Sequence, residues 1–542
     1  MRKIKKLTIY EWILCGILGL EVLYLVYCNL VHIPDVIEPD IAKMLYHTME
    51  MARQSRIVLP DWIYTTTAEW DTVVLPAVLF YKITGDVCLS FGIVNCINMA
   101  LFFLVVDRLL RQAGMERLFR LLALALLFGL YDMDEVWYTT EMLFSGGAQY
   151  YYKVLVPLLL LTVLTAQEQE RRGWENRVLL LVFSVTCMIT AASSGIYVFL
   201  CGLLPIIVCY VVFRYRDRYV WGVIGLTVVL TVAGLMACNA LGVSPGSSTE
   251  MDLRTLNEVT EAPLETFSTF LQVWNLFPKY PTPVLSVVGI GTVAKFVLIG
   301  VLLPFGFGGL RDVLGIRSLR RDAGEPDVSG IVRACLVTIF AWNYFILFLT
   351  FSTPRYQLIG AIPLMLCAVF GLQDVMKNRV QPWVCKALAV IAGVLLLFIG
   401  AAAVTYGEEE HFHRRDAMPG ICATIKEQLE EAGIQTVLWL NCREMSEMMR
   451  YYDPSGRMYS NLMVSPEGEI TPFNWNTYKA AEDPSMYEDL NAVIATKEDF
   501  LRLPEEMRAP YEELSVVPIY VGNNLHGDYR IYRADRCPIT GF

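Results

Sequence analysis

Two short acidic clusters hold the residues of this chain best placed to do chemistry. The first lies in His32-Ile-Pro-Asp-Val-Ile-Glu-Pro-Asp and contains Asp35, Glu38 and Asp40. The second lies in Tyr131-Asp-Met-Asp-Glu and contains Asp132, Asp134 and Glu135. Paired carboxylates in the second cluster could orient a substrate hydroxyl or hold a divalent cation, Mg or Mn, through hard oxygen ligands. Asp40 has a plain structural alternative, since an Asp ahead of an apolar helical pattern is a preferred N-cap. Trp62, Tyr64 and Trp70 are of the kind that stack on sugar rings, although aromatic residues also anchor proteins at the membrane interface. Two cations complete the set: Lys153 and Arg355 could each neutralise a phosphate, or reach out to the interface and its headgroups. Lys295, mid-way along a hydrophobic stretch, calls for a cavity or a partner carboxylate.

The elements that must position these residues are membrane spans. The chain is 55% hydrophobic with a mean hydropathy of +0.45, which places it in the membrane class. A helix needs roughly 20 mostly apolar residues to cross the bilayer core. Eleven stretches come close to that: 9–28, 87–107, 118–131, 147–165, 178–192, 196–213, 220–242, 284–308, 331–351, 357–373 and 387–405. Alternate loops carry 21 Lys and Arg, from Arg2 and Lys3 at the start to Lys377, Arg379 and Lys386, and the intervening loops carry far fewer. Because Lys and Arg are retained on the cytoplasmic side, the expected N-terminus is cytoplasmic and the first span is a retained anchor. Both acidic clusters then face outward, the first in a large loop over 29–85.

Within that loop Ile41, Met44, Leu45, Met49 and Ala52 recur at helical spacing and predict an amphipathic helix along the membrane surface. A further outer segment, about 243–283, is rich in Pro, Ser and Thr and reads as a loop. The two parts of the chain differ in charge. Residues 406–542 hold 13 Lys and Arg against 24 Asp and Glu, a net of −11 that accounts for the whole chain's formal −10. An acidic outer part argues against nucleic acid as a partner. Helices at 418–433, 443–452 and 497–507 alternate with short apolar strands at 435–440, 491–496, 516–521 and 528–533, which predicts a small α/β domain. Cys422, Cys442 and Cys537 in this part show no CxxC spacing and indicate neither a disulfide framework nor a zinc site.

The acids just after the first span (Glu38-Pro-Asp-Ile-Ala-Lys-Met), the second acidic loop running into Phe144-Ser-Gly-Gly-Ala-Gln-Tyr-Tyr, and a late Pro354-Arg-Tyr before a span together resemble the GT-C superfamily of integral-membrane glycosyltransferases. The likeness covers about residues 1–405. It implies a polytopic α-helical membrane protein of about 11 transmembrane helices with a C-terminal extracytoplasmic α/β domain over 406–542, in a bacterial plasma membrane. It also implies an inverting transfer of sugar from a polyprenyl-phosphate donor to a glycan, lipid or protein acceptor. On that likeness Asp40 or Glu38 is the general base, and Asp35, Asp132, Asp134, Glu135, Trp62 and Lys153 contact substrate. Arg355 supports the departing phosphate. The chain departs from the family's best-defined patterns in lacking a tandem acidic pair at the head of the first loop and any Trp-Trp-Asp. Two other classes fit the topology: a transporter or flippase of lipid-linked saccharides, for which the inverted repeats of many such folds are not visible, and a non-catalytic envelope scaffold.

Overall fold

The computed structural model describes residues 7–64, 67–129, 138–214, 217–240, 253–274, 276, 281–310, 327–407, 417–472, 477–478, 492–521 and 524–534. Helix α1 (Ile9–Val31) starts at a capping box in which Thr8 and Glu11 satisfy each other's backbone N–H groups. It is followed by α2 (Pro39–Gln54), the two-residue strand β1 (Trp62–Ile63), α3 (Val74–Thr84), α4 (Val87–Gln112) and α5 (Arg117–Phe128). The chain continues through α6 (Tyr138–Phe144), α7 (Tyr151–Thr165), α8 (Glu168–Arg171), α9 (Trp174–Ser194), α10 (Leu204–Arg214) and α11 (Arg218–Ala240). Next come α12 (Leu256–Val273), α13 (Val287–Gly306), α14 (Val328–Leu349), α15 (Pro354–Arg379) and α16 (Pro382–Gly407).

Eight of these helices, α1, α4, α9, α11, α13, α14, α15 and α16, are long and apolar enough to cross a membrane. Each coincides with an expected span. The fourth and sixth spans coincide with shorter apolar helices, Tyr151–Thr165 and Phe199–Arg214. The third expected span is α5, whose 12 residues reach only about 18 Å at 1.5 Å per residue, short of a bilayer core. Helices α1 and α4 meet closely because Gly92 has no side chain: a Cβ there would strike the carbonyl of Asn29. The Asn29 amide in turn donates to the carbonyls of Leu25 and Phe144, at 2.9 and 2.8 Å.

One segment read as a loop holds a helix. Over 243–283 the described part contains α12, opened by a capping box between Thr255 and Glu258 and packed against α14 and α15. The T-x-x-E signature was present in the sequence, but the surrounding Pro and Ser residues masked it. In the first loop α2 forms where the apolar spacing predicts, yet its buried face meets protein. It packs on α3 and on a helix of the C-terminal part.

The C-terminal part comprises α17 (Ala417–Glu431), β2 (Thr436–Leu440), α18 (Arg443–Tyr452), β3 (Met458–Val464), β4 (Ile470–Pro472), β5 (Thr477–Tyr478), β6 (Ala492–Thr496), α19 (Lys497–Arg502), α20 (Glu505–Arg508), β7 (Glu512–Val521) and β8 (Asn524–Arg533). Six strands form one sheet in the order β4-β3-β2-β6-β8-β7. Strand β2 pairs in parallel with β3 and β6, and its five residues are all buried, as the apolar run Thr-Val-Leu-Trp-Leu requires of a central strand. The remaining strand, β5, leaves this sheet to pair antiparallel with β1, matching Trp62 to Tyr478. The first loop is therefore bound to the C-terminal domain by a strand pair and by the contact of α2 with α18.

Candidate active site

The site grows from the first turn of α2. Pro39 occupies the first helical position, where its missing N–H costs nothing, and Glu38 takes the N-cap position without a side-chain cap bond. Asp40 is thus inside the helix, which corrects the N-cap alternative. Its carboxylate faces Lys43 one turn on, at 3.1 Å. It also faces Arg355 from the start of α15: Arg355 Nη1 lies 3.9 Å from Asp40 Oδ2. The Arg355 guanidinium leans over the ring of Tyr356, which is flanked by Tyr150 and Tyr197.

Lys43 is shared. Its ammonium lies 3.2 Å from Glu69, a residue buried at 2% exposure and held at φ +60°. That left-handed backbone is costly for a residue with a side chain, and it turns the Glu69 carboxylate under α2. Glu69 also accepts from or pairs with His47 Nδ1 at 3.1 Å. Two neighbours fix the segment. Asp71, fully buried, accepts from Ser193 and Ser194 at the end of α9 (2.6 and 2.7 Å) and pairs with Lys153 at 2.7 Å. The backbone N–H of Trp70 donates to Ser193.

The C-terminal domain closes the cluster through α18, which brings Arg443 and Glu447 into the field of Asp40. The electrostatics follow from this arrangement. The Lys43 ammonium, aided by Arg355, outweighs burial and holds the Asp40 carboxyl down to about 2. Burial alone would push the Lys43 ammonium down, but Asp40, Glu69 and Glu447 hold it above its ordinary value.

The fold and this geometry can be set beside known proteins. No family model matches the sequence, and no curated protein matches it. Among solved structures, the chain is similar to ArnT from Cupriavidus metallidurans in its apo state, with a TM-score of 0.55 and 12% identity over 97% of this chain and 99% of that one. It is similar to the Archaeoglobus fulgidus oligosaccharyltransferase in complex with Zn and sulfate, at TM-score 0.50 and 12% identity over 92% and 72% of the two chains. It is also similar to AglB of the same organism with an inhibitory peptide and a dolichol-phosphate, at 0.50 and 11% over 98% and 75%. The chain shares its fold with these structures.

Within this fold the expected site residues separate into groups. Asp40 and Arg355 are brought together, with Glu38 two residues from Asp40 in the backbone turn that starts α2. Asp35 instead pairs with His32 at 2.7 Å. Lys153 does not reach the interface; its ammonium is locked on Asp71. Trp62 offers no open ring for stacking on a sugar, because it is 4% exposed and stacked on His47 at 4.9 Å. Tyr64 and Trp70 are likewise buried and pack edge to face. Asp132, Asp134 and Glu135 lie outside the described residues.

Among the described residues no three His, Cys, Asp or Glu side chains gather as a metal site. Asp40 and Glu69 share the Lys43 ammonium. Sequence reasoning missed Lys43, His47, Glu69, Asp71, Arg443 and Glu447. Lys43 had a signal, its i,i+3 spacing from Asp40 on a predicted helix. His47, one turn further along the same predicted helix, and Arg443 and Glu447, spaced i,i+4, had the same kind of signal; Glu69 and Asp71 had none, since their neighbours come from distant parts of the chain.

Proposed function

We propose that this protein transfers a sugar from a polyprenyl-phosphate donor to an acceptor hydroxyl on a glycan, lipid or protein at the outer face of the membrane. The N-terminus is then cytoplasmic, residues 1–405 form the membrane part and 406–542 an extracytoplasmic domain. The observation that carries this reading is the 3.9 Å approach of Arg355 to Asp40. It joins a carboxylate able to take a proton and a guanidinium able to meet a phosphate, at the end of the membrane part that the C-terminal domain covers.

The reaction is a single displacement. The acceptor oxygen attacks the anomeric carbon, the bond from that carbon to the phosphate oxygen breaks, and the polyprenyl phosphate leaves with the electron pair. The acceptor proton passes to Asp40, and the configuration at the anomeric carbon inverts. With no substrate bound, Asp40 is a weak base because Lys43 and Arg355 hold it ionised. A donor phosphate recruits both cations, which supports the leaving group and returns basicity to Asp40 where a positioned base is needed. Proton transfer is thereby coupled to donor binding. Asp132, Asp134 and Glu135 remain the residues proposed to bind the acceptor or a divalent cation, and no step above is routed through a metal.

The test is transfer by the purified full-length protein in lipid nanodiscs, supplied with a polyprenyl-phosphate sugar and a mixture of envelope acceptors. Release of free polyprenyl phosphate with a glycosylated product supports the reading. Movement of intact donor across the bilayer without cleavage would replace it with a transporter.

A further inference from the structure

Glu447 is a buried acid that the reaction above does not use. It lies on α18, the helix that packs on α2, and its side chain is 1% exposed. Neither of its carboxylate oxygens has a hydrogen-bond partner among the described residues, and Arg443 Nε stands 3.5 Å from Oε1. A buried carboxylate in that state is strongly disfavoured unless a nearby cation compensates it. The charged groups facing it are Asp40 and Lys43 on α2, and Arg443 and Arg450 on its own helix. Glu69 stands behind Lys43 and Arg355 behind Asp40. At the far end of α2, Glu50 and Arg53 pair with each other.

We propose that Glu447 is a positioning residue that, when ionised, shares Lys43 with Asp40 and so frees Asp40 to take the acceptor's proton. This rests on the reading of Asp40 as the proton acceptor. With Glu447 neutral, the Lys43 ammonium is left to Asp40 and Glu69, and Asp40 binds a proton least readily. With Glu447 charged, a third carboxylate competes for the same ammonium and repels Asp40, so the affinity of Asp40 for a proton rises. Burial pushes the Glu447 carboxyl up to about 7. The C-terminal domain thus acts on the transfer site through one helix, without touching substrate.

The experiment measures kcat and donor KM of the full-length protein in nanodiscs from about pH 5.5 to about 8.5. The wild type should lose rate below about pH 7 and level off about tenfold down, at the rate of the neutral Glu447 form. Glu447→Gln should lose this acid limb and run about tenfold slower above pH 7, with donor KM changed by less than about twofold. Glu447→Asp should keep a limb, and Glu444→Gln, exposed on the same helix, should match the wild type. A Glu447→Gln enzyme with the wild-type limb and rate overturns the proposal.

A second readout does not need activity. A carboxyl raised from about 4.3 in the unfolded chain to about 7 in the folded one stabilises the fold below about pH 4 and loses that contribution as pH rises through 7. The Tm of Glu447→Gln should therefore gain on the wild type between pH 5 and pH 8, and the gain should grow in a Lys43→Met background, where the ammonium no longer compensates the buried charge. If no variant transfers sugar, the proposed function falls while this cycle still reports on the Lys43–Glu447 coupling; an additive cycle overturns the positioning role.

Discussion

Lys153 Nζ lies 2.7 Å from Asp71 Oδ2 in a network closed to solvent, with Ser193 and Ser194 on the same carboxylate. The pair joins the first loop to α7, and the serines join it to α9. Glu69, two residues before Asp71, takes its place under Lys43 only because this anchor holds the segment. Removing one partner of a buried pair leaves the other uncompensated, at about 3–5 kcal/mol. Asp71→Ala should lower thermal stability in detergent by that order, and Lys153→Met should cost a similar amount. The double variant should cost less than the sum, which a thermal-unfolding cycle measures.

Asp40→Asn removes the proton acceptor and keeps the shape of the side chain. Loss of a general base lowers rate by about 10²–10⁴, so transfer should fall by at least a hundredfold. Donor binding should hold or tighten, because Lys43 and Arg355 are released to the phosphate. A radiolabelled donor-binding assay beside the activity assay checks both halves, and an active Asp40→Asn enzyme would move the role to Glu38.

Arg355→Ala should weaken the donor more than the acceptor. A charge-assisted contact is worth about 1.5–3 kcal/mol, or roughly 10- to 150-fold in donor affinity. Titration with polyprenyl phosphate alone reads this directly. Arg355→Lys should recover only part of the loss, since an ammonium cannot present the planar fork.

Stability should also report the charge of Asp40. Lys43 holds its carboxyl down to about 2, below the ordinary value of about 3.9. A depressed carboxyl contributes stability that is present above the unfolded value and lost as pH falls through the folded one, here between about pH 4 and about pH 2, worth about 2 kcal/mol. In a Glu447→Gln background, which removes the neighbouring carboxyl that titrates near pH 7, the Tm difference between Asp40 and Asp40→Asn should be constant from pH 7 to pH 5 and shrink below pH 4.

The close approach of α1 and α4 gives a packing prediction. Gly92→Val places methyl groups where the Asn29 carbonyl already sits, and Asn29 cannot retreat without losing its bonds to Leu25 and Phe144. Forced overpacking costs about 1–3 kcal/mol. The variant should show lower folded yield by size-exclusion chromatography, and Gly92→Ala should be intermediate.

Hydropathy and periodicity are local properties, and what depends on them was readable from the chain alone. The eight long spans, α2 with its apolar face, and the alternation of helices and strands after Ala417 all follow from side chains within about twenty residues of one another. The same local reading pointed to Asp40 and Arg355 by residue type and place, but it could not bring them together. That pairing, the capture of Lys153 by Asp71, and the arrival of Arg443 and Glu447 in the field of Asp40 each join residues far apart in the chain. Contacts of that kind leave no periodic trace, because they are decided by which helix faces pack and where a strand as short as β1 finds β5. Residue chemistry and span order were written locally; the charge balance that sets whether Asp40 can accept a proton exists only once α2, α15 and α18 meet.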